Sequence, residues 1–268
     1  MLELKATAIE DPAEAADVRL KIAGLDEERL AEDKASEGAY RRVLEADSQN
    51  LAALKGLERL FLRSERWQDL LDILEAQLGV VTSEREQTVL LMRIAKLLEE
   101  QFLKPDKACE RLEQLVEIDP KNVEALDGLE RLYRQQQRWH DLISTLQRHV
   151  AATPDRQQKV DLLGQIGGSY TTELDDSERA VEAYLGILEL DEDNLVALDA
   201  LPRLYEKTGD YAKSLEMMGR LARRQEEPQA QVDLQYRMGR ILDQHIEDRD
   251  GAVERYQNAI DLSGGAHL

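Results

Sequence analysis

Apolar residues in this chain recur three and four positions apart, the spacing that places them on one face of an α-helix. Leu90, Leu91, Ile94, Leu97 and Leu98 form one such stripe. Ala108, Leu112, Leu115 and Val116 form the next, followed by Ala125, Leu126, Leu129, Leu132 and Tyr133. A fourth runs through Trp139, Leu142, Ile143, Leu146 and Val150. Polar breaks separate them. Lys104-Pro105-Asp106 ends the first, since proline disfavours a helical residue before it. Asp119-Pro-Lys-Asn122 is a turn with Asn122 ready to cap the next helix. Ser83 and Glu86 have capping-box spacing, and Thr153-Pro154 opens the following block with proline in a first helical turn. Strand-like alternation is absent. The pattern predicts about fourteen helices joined by short turns, an all-α chain. Pro202 lies inside the helix predicted from Asn194 to Lys207 and should distort it.

The stripes themselves recur without a gap, each 72-residue block matching the next. Asp47-Ser-Gln-Asn50 returns as Asp119-Pro-Lys-Asn122 and as Asp191-Glu-Asp-Asn194. Leu57, Arg59, Leu60, Phe61 and Trp67 return as Leu129, Arg131, Leu132, Tyr133 and Trp139, then as Leu201, Arg203, Leu204, Tyr205 and Tyr211. A fixed long period marks an array whose units bury a core only against their neighbours. It gives a leader at 1–16, a repeat domain at 17–262 (blocks 17–88, 89–160, 161–232 and 233–262) and a tail at 263–268. The first copy is the least regular, with Arg19 and Asp26 where later copies have Leu91 and Leu98. The last residues look like a cut rather than a polar cap, as expected of a piece of a longer array.

Composition narrows the function. The 268 residues are 42% hydrophobic and 34% charged, with a net charge of −20. Phosphate backbones repel such a chain, which disfavours nucleic acid and anionic membrane surfaces. No stretch approaches the ~20 apolar residues of a membrane span, and the first residues have no signal-peptide pattern. The one cysteine, Cys109, excludes an internal disulfide and fits a reducing, cytoplasmic setting. His140, His149, His245 and His267 show no metal-ligand spacing and are expected on the surface. Gly164-Gln-Ile-Gly167-Gly168 lacks the lysine and the preceding strand of a phosphate loop. With no nucleophile–base pairing, no cofactor and no metal indicated, the chain is read as non-catalytic.

Small residues then bring a family into view. Ala23, Ala95, Gly167 and Gly239 recur in the first helix of each block; Ser36, Ala108, Ala180 and Ala252 recur in the second, followed by Tyr40, Leu112, Tyr184 and Tyr256. This small–small contact resembles the tetratricopeptide repeat, a helix–turn–helix unit of about 34 residues. The resemblance implies a right-handed α-solenoid of about seven units and fourteen antiparallel helices, two units to each 72-residue block. In the second unit the family's small residues are replaced by Glu58, Glu130 and Pro202, then Leu70, Leu142 and Ser214; Trp67, Trp139 and Tyr211 are expected to fill that crossing. The pattern also resembles long arrays of large bacterial proteins, some of which serve as scaffolds of motility or polarity machines.

The resemblance further implies a concave groove that takes a protein or peptide segment. Its candidate residues are Arg59, Lys96, Asp127, Arg131, Arg134, Arg203 and Arg240. Two readings stay open. Arginine forks suit partner carboxylates, yet Asp127 and Asp199 stand four residues before Arg131 and Arg203 and suit local ion pairs, which is the favoured reading. Trp67 and Trp139 are expected in the core, with partner anchoring the alternative. Gly167 fits close helix contact, whereas Gly164 and Gly168 are unexplained unless they bare the floor for a partner's backbone. Co-chaperones of the family grip a C-terminal carboxylate with Lys, Asn and Arg; the corresponding faces here carry Met92 and Lys96, Gly128, then Asp161 and Gln165, so that clamp is not expected. The rivals to a binding scaffold are a self-assembling spacer and a secretion chaperone.

Overall fold

The computed structural model describes residues 12–25 and 33–264. Residues 1–11 of the leader, Asp26, and residues 265–268 with His267 lie outside the described residues. Among the described residues there are fourteen α-helices. The chain divides between Leu132 and Tyr133 into two compact units, and the division falls within one helix.

The first unit holds α1 (Pro12–Leu25), α2 (Asp33–Ala46), α3 (Leu51–Arg63), α4 (Trp67–Val80), α5 (Glu84–Glu100), α6 (Pro105–Ile118) and most of α7 (Val123–Gln135). The second holds the end of α7, then α8 (Trp139–Ala152), α9 (Arg156–Thr172), α10 (Ser177–Leu190), α11 (Leu195–Thr208), α12 (Tyr211–Arg224), α13 (Pro228–Ile241), a π-helical turn (Leu242–Ile246) and α14 (Arg249–Leu262). Helices pack as consecutive antiparallel pairs, each burying its apolar stripe on its neighbours in sequence. Helix α1 begins at Pro12, five residues ahead of the repeat register.

Capping follows the repeat only in part. Asn50, Asn122 and Asn194 each accept a hydrogen bond from the amide three residues on, at 3.1, 3.1 and 3.2 Å. Asp47, Asp119 and Asp191 hold these asparagine side chains. Ser83 occupies the start of α5 but its hydroxyl makes no cap bond. Helix α9 is capped by Asp155, which accepts from the Gln158 amide at 2.7 Å, so Pro154 precedes the helix instead of opening it. Pro202 is carried inside α11, which runs from Leu195 to Thr208 without a break.

The corners also repeat. Helices α3, α7 and α11 each end with a residue in the left-handed region: Glu65 (φ 54°), Gln137 (56°) and Gly209 (81°). The next amide reaches back to Phe61, Tyr133 or Tyr205, the helix-ending pattern that glycine favours. Only the third copy has glycine there. Gln137→Gly should therefore stabilise the chain by about 0.5–1 kcal/mol, read as a shift of the denaturation midpoint. No shift, or a loss, would show that the Gln137 side chain contributes more than its backbone strain costs.

The large residue after each small–small contact is a wedge. A Cβ on Gly56 would stand 2.3 Å from the Tyr40 ring, one on Gly128 3.0 Å from Leu112, and one on Gly167 or Gly239 2.7 Å from Tyr184 or Tyr256. Tyr40, Leu112, Tyr184 and Tyr256 can thus lie flat on a neighbouring helix only because that helix is bare there. The crossings in the alternate units are filled differently from expectation. Leu70 and Ser214 are buried, whereas Trp67, Trp139 and Tyr211 are only half-buried. Ser214 donates from Oγ to the Pro202 carbonyl at 3.1 Å, and Glu58 is held by Gln77 at 2.6 Å and Arg93 at 2.5 Å.

Candidate protein-binding clefts

Among the described residues a cleft recurs at corresponding positions of successive blocks, one copy in each unit. In the first unit, α5, α6 and α7 enclose about 310 Å³ lined by Lys96, Glu99, Leu112, Glu124, Asp127 and Arg131. In the second, α9, α10 and α11 enclose about 520 Å³ lined by Thr171, Tyr184, Leu195, Val196, Asp199 and Arg203. Positions set by the helical period on α7 and α11 point Arg131 and Arg203 into equivalent places.

The first cleft is closed by ion pairs between helices. Lys96 on α5 meets Glu124 on α7 at 2.7 Å. Arg131 forks both carboxylate oxygens of Glu99 on α5, with Nη2 at 2.8 Å from Oε2. Its carboxylate partner is therefore Glu99 on another helix, and not Asp127 one turn earlier as the spacing suggested. The Arg131 hydrogen bonds hold the Glu99 carboxyl below its ordinary 4.5, and the same contact raises the Arg131 guanidinium. A carboxyl whose pKa is depressed by folding adds stability above its unfolded pKa and loses it as pH falls through the folded value. Glu99→Gln should therefore cost about 0.5–1 kcal/mol at pH 7, a figure discounted for exposure. The gap between variant and parent should shrink only below pH 4.5. Parallel denaturant titrations at pH 7 and pH 3.5 check this, and a gap equal at both would refute it.

In the second unit, Arg203 pairs with Asp199 in its own helix at 3.2 Å, as the sequence spacing suggested. Arg134 donates to Gln165 at 2.7 Å. Arg240 is exposed and has no hydrogen bond or ion pair among the described residues. In the first unit, Arg59 donates to the Tyr40 hydroxyl at 3.2 Å and to the Lys55 carbonyl at 3.3 Å. Gly167 lies under Tyr184, whereas a Cβ on Gly168 would meet nothing within 4 Å.

Other groups have roles the sequence did not reveal. Arg66 stacks on the Phe61 ring at 4.4 Å and binds Glu37 at 2.6 Å and Asp69 at 2.8 Å. Burial pushes the Glu37 carboxyl up, and the hydrogen bonds from Arg66 and Arg41 more than offset this, leaving it below the usual range. Arg138 repeats the motif, over Tyr133 at 4.5 Å and on Asp141 at 2.7 Å. The third copy reverses the charges, with Asp210 bound to Lys213 at 2.7 Å. The recurring Arg-Trp-x-Asp thus locks a corner; its signal was the paired charge three residues apart. His149 is 2% exposed and faces Gln158, contrary to its expected surface position.

Two family models described as tetratricopeptide repeat match the chain, one at residues 53–88 and 125–160 and the other at 90–122. The chain is a tetratricopeptide-repeat protein. Residues 53–88 and 125–160 are the alternate units, whose helix crossings lack the family's small residues, so the tetratricopeptide pattern survives that change. Tetratricopeptide repeats typically mediate contacts between proteins and are non-catalytic. Solved structures that match the chain include MamA (19% identical, covering 62% of this chain and 92% of that one, TM-score 0.43). They include YrrB, described as a TPR protein with an unusual peptide-binding site (21%, 72% and 95%, 0.41). PilF of Pseudomonas aeruginosa is a third (16%, 95% and 95%, 0.39). Comparison with curated protein sequences gave no match. Among the described residues, no helix of this tetratricopeptide chain is long and apolar enough to cross a membrane.

Proposed function

We propose that this tetratricopeptide-repeat protein is a non-catalytic scaffold that binds a segment of a partner protein on the face carrying Arg131 and Arg203. In this reading residues 17–262 form the repeat domain, and the chain works in a bacterial multiprotein assembly such as a motility or polarity apparatus. The observation that carries it is the recurrence of one cleft, with an arginine at the same place, in both units. Arg59, Lys96, Asp127, Arg134 and Arg240 complete the proposed contact set. A cytoplasmic location is consistent with Cys109, which is buried and unbridged.

The test is in-cell cross-linking with mass spectrometry, comparing the parent chain with an Arg131→Glu, Arg203→Glu double variant. Cross-links from α5, α7, α9 or α11 to one partner, lost in the double variant while its helix content is unchanged, are expected. Identical cross-links in both would sink the reading. A second reading, self-assembly as a spacer, is favoured by one contrast. Ile260 on α14 is 41% exposed, whereas Leu188, its counterpart one repeat earlier, is 9% exposed. Sedimentation of the parent chain against Ile260→Glu separates the two, since only self-assembly through α14 makes mass depend on that residue.

A further inference from the structure

The two clefts share a register but not a chemistry. Where α5 has Met92, Lys96 and Glu99, α9 has Gly164, Gly168 and Thr171. Where α7 has Glu124, α11 has Val196. Both inter-helix ion pairs of the first cleft are therefore missing from the second. The Thr171 hydroxyl donates to the Gly167 carbonyl of its own helix and leaves Arg203 without a partner on α9. Gly168, at the place of Lys96, has no side chain and a Cβ there would meet nothing within 4 Å, the volume rises from about 310 to about 520 Å³, and Leu195 and Val196 stand 52% and 66% exposed at the rim.

The polar groups left behind are asymmetric. Both Asp199 oxygens face Arg203 Nη2, at 3.3 and 3.2 Å. Nη1 and Nε of Arg203 donate to nothing among the described residues. The open valence in this cleft is a donor edge, which fits a carboxylate through two parallel bonds. A basic segment would have to take Asp199 away from Arg203. The net charge of −20 opposes an acidic ligand at long range, but salt screens that field beyond about 8 Å.

We infer that the α9–α11 cleft is the docking site for an acidic, extended peptide segment of a partner. One apolar side chain rests on Leu195, Val196 and Tyr184, a carboxylate takes the free edge of Arg203, and the backbone passes over Gly164 and Gly168. The inference rests on the scaffold reading and narrows it to one cleft and one ligand chemistry. Seven residues of α11 separate Val196 from Arg203, about 10 Å along the axis. An extended peptide covers that distance in about three residues, so the recognised pattern is an apolar residue with Asp or Glu three positions away. The first-unit cleft, with Lys96 paired to Glu124 and Arg131 to Glu99, offers no such open donor edge.

A random heptapeptide display library panned on the whole chain provides the probe. Selected peptides, synthesised with a fluorophore, are titrated by anisotropy against the parent and three variants of unchanged helicity. Enrichment of an apolar residue three positions from an acidic one is expected. Arg203→Glu should weaken binding about tenfold or more. The triple change Gly168→Lys, Thr171→Glu, Val196→Glu, which copies the first cleft's ion pairs onto α9 and α11, should do the same, and Gly219→Ala on α12, outside the cleft lining, should leave affinity within about twofold; an added Arg131→Glu titration reads whether the other cleft is used instead. Equal binding to parent and triple variant overturns the inference. Peptides whose binding depends on Arg131 instead overturn it while sparing the scaffold reading, and a library with no enrichment counts against both.

Discussion

Gly56→Ala is expected to destabilise the first unit by about 1–3 kcal/mol, the usual range for overpacking. This reverses the ordinary sign of the substitution. Glycine within a helix is worse than alanine by up to about 1 kcal/mol, so an unconstrained site gains from the change. At Gly56 the new methyl would stand 2.3 Å from Tyr40 Cζ and under 2.7 Å from two further ring carbons. The ring is 3% exposed and pinned between helices, so it cannot swing aside cheaply. Gly219, inside α12 with nothing within 4 Å of a Cβ, is the control: Gly219→Ala should stabilise by about 0.5–1 kcal/mol. Urea titrations followed by circular dichroism measure both. A cycle with Tyr40→Leu isolates the clash, because a Cβ on Gly128 in the next copy would stand 3.0 Å from Leu112, farther than the 2.3 Å from the Tyr40 ring. Stabilisation by Gly56→Ala in the parent background would refute the wedge.

Leu198→Ala should cost more, about 2–5 kcal/mol. Leu198 is fully buried on α11, one turn from Leu195 and Leu201, on the side of the helix opposite the cleft mouth. The loss combines transfer of the apolar side chain with the cavity left when tightly packed neighbours do not collapse. In a chain of repeats each helix leans only on its neighbours. Hydrogen exchange should therefore quicken first in α10, α11 and α12. A global midpoint shift with uniform exchange would instead mean that the second unit unfolds as one cooperative block, and a cost below about 1 kcal/mol would show that the site refills.

Much of the architecture was legible because it depends on local periodicity. The stripe through Leu90, Leu91, Ile94 and Leu98 became the buried face of α5. Asn122 capped α7, and Pro105 opened α6. The small residues at 167 and 239 sat where helices touch. Features that depend on which helix answers a side chain were not legible. Ser83 had the spacing of a capping box without forming one. Trp67 begins a helix with an apolar face, yet it is only half-buried, while Leu70 three residues on is buried. Pro202 breaks a local rule, but the Ser214 hydroxyl meets its carbonyl across the pair and the helix continues.

The candidate site shows the same division at finer grain. The sequence placed Arg131 and Arg203 at one repeated position, since a full block returns the chain to the same helical face. It also suggested one role for both, because Asp127 and Asp199 precede them identically. Local spacing is satisfied only for Arg203. Arg131 turns to Glu99, 32 residues away, and Arg203 has Thr171 at the corresponding place.

The sequence by itself determined the helices and their asparagine caps, because each depends on residues within a turn or two of one another, and the long repeat period, which is read by setting one block against the next. Only the tertiary structure decided which cleft has its cations paired across helices and which leaves an arginine edge open. That outcome depends on what a neighbouring helix offers at the end of a long side chain, and the pitch of a single helix carries no information about its neighbour.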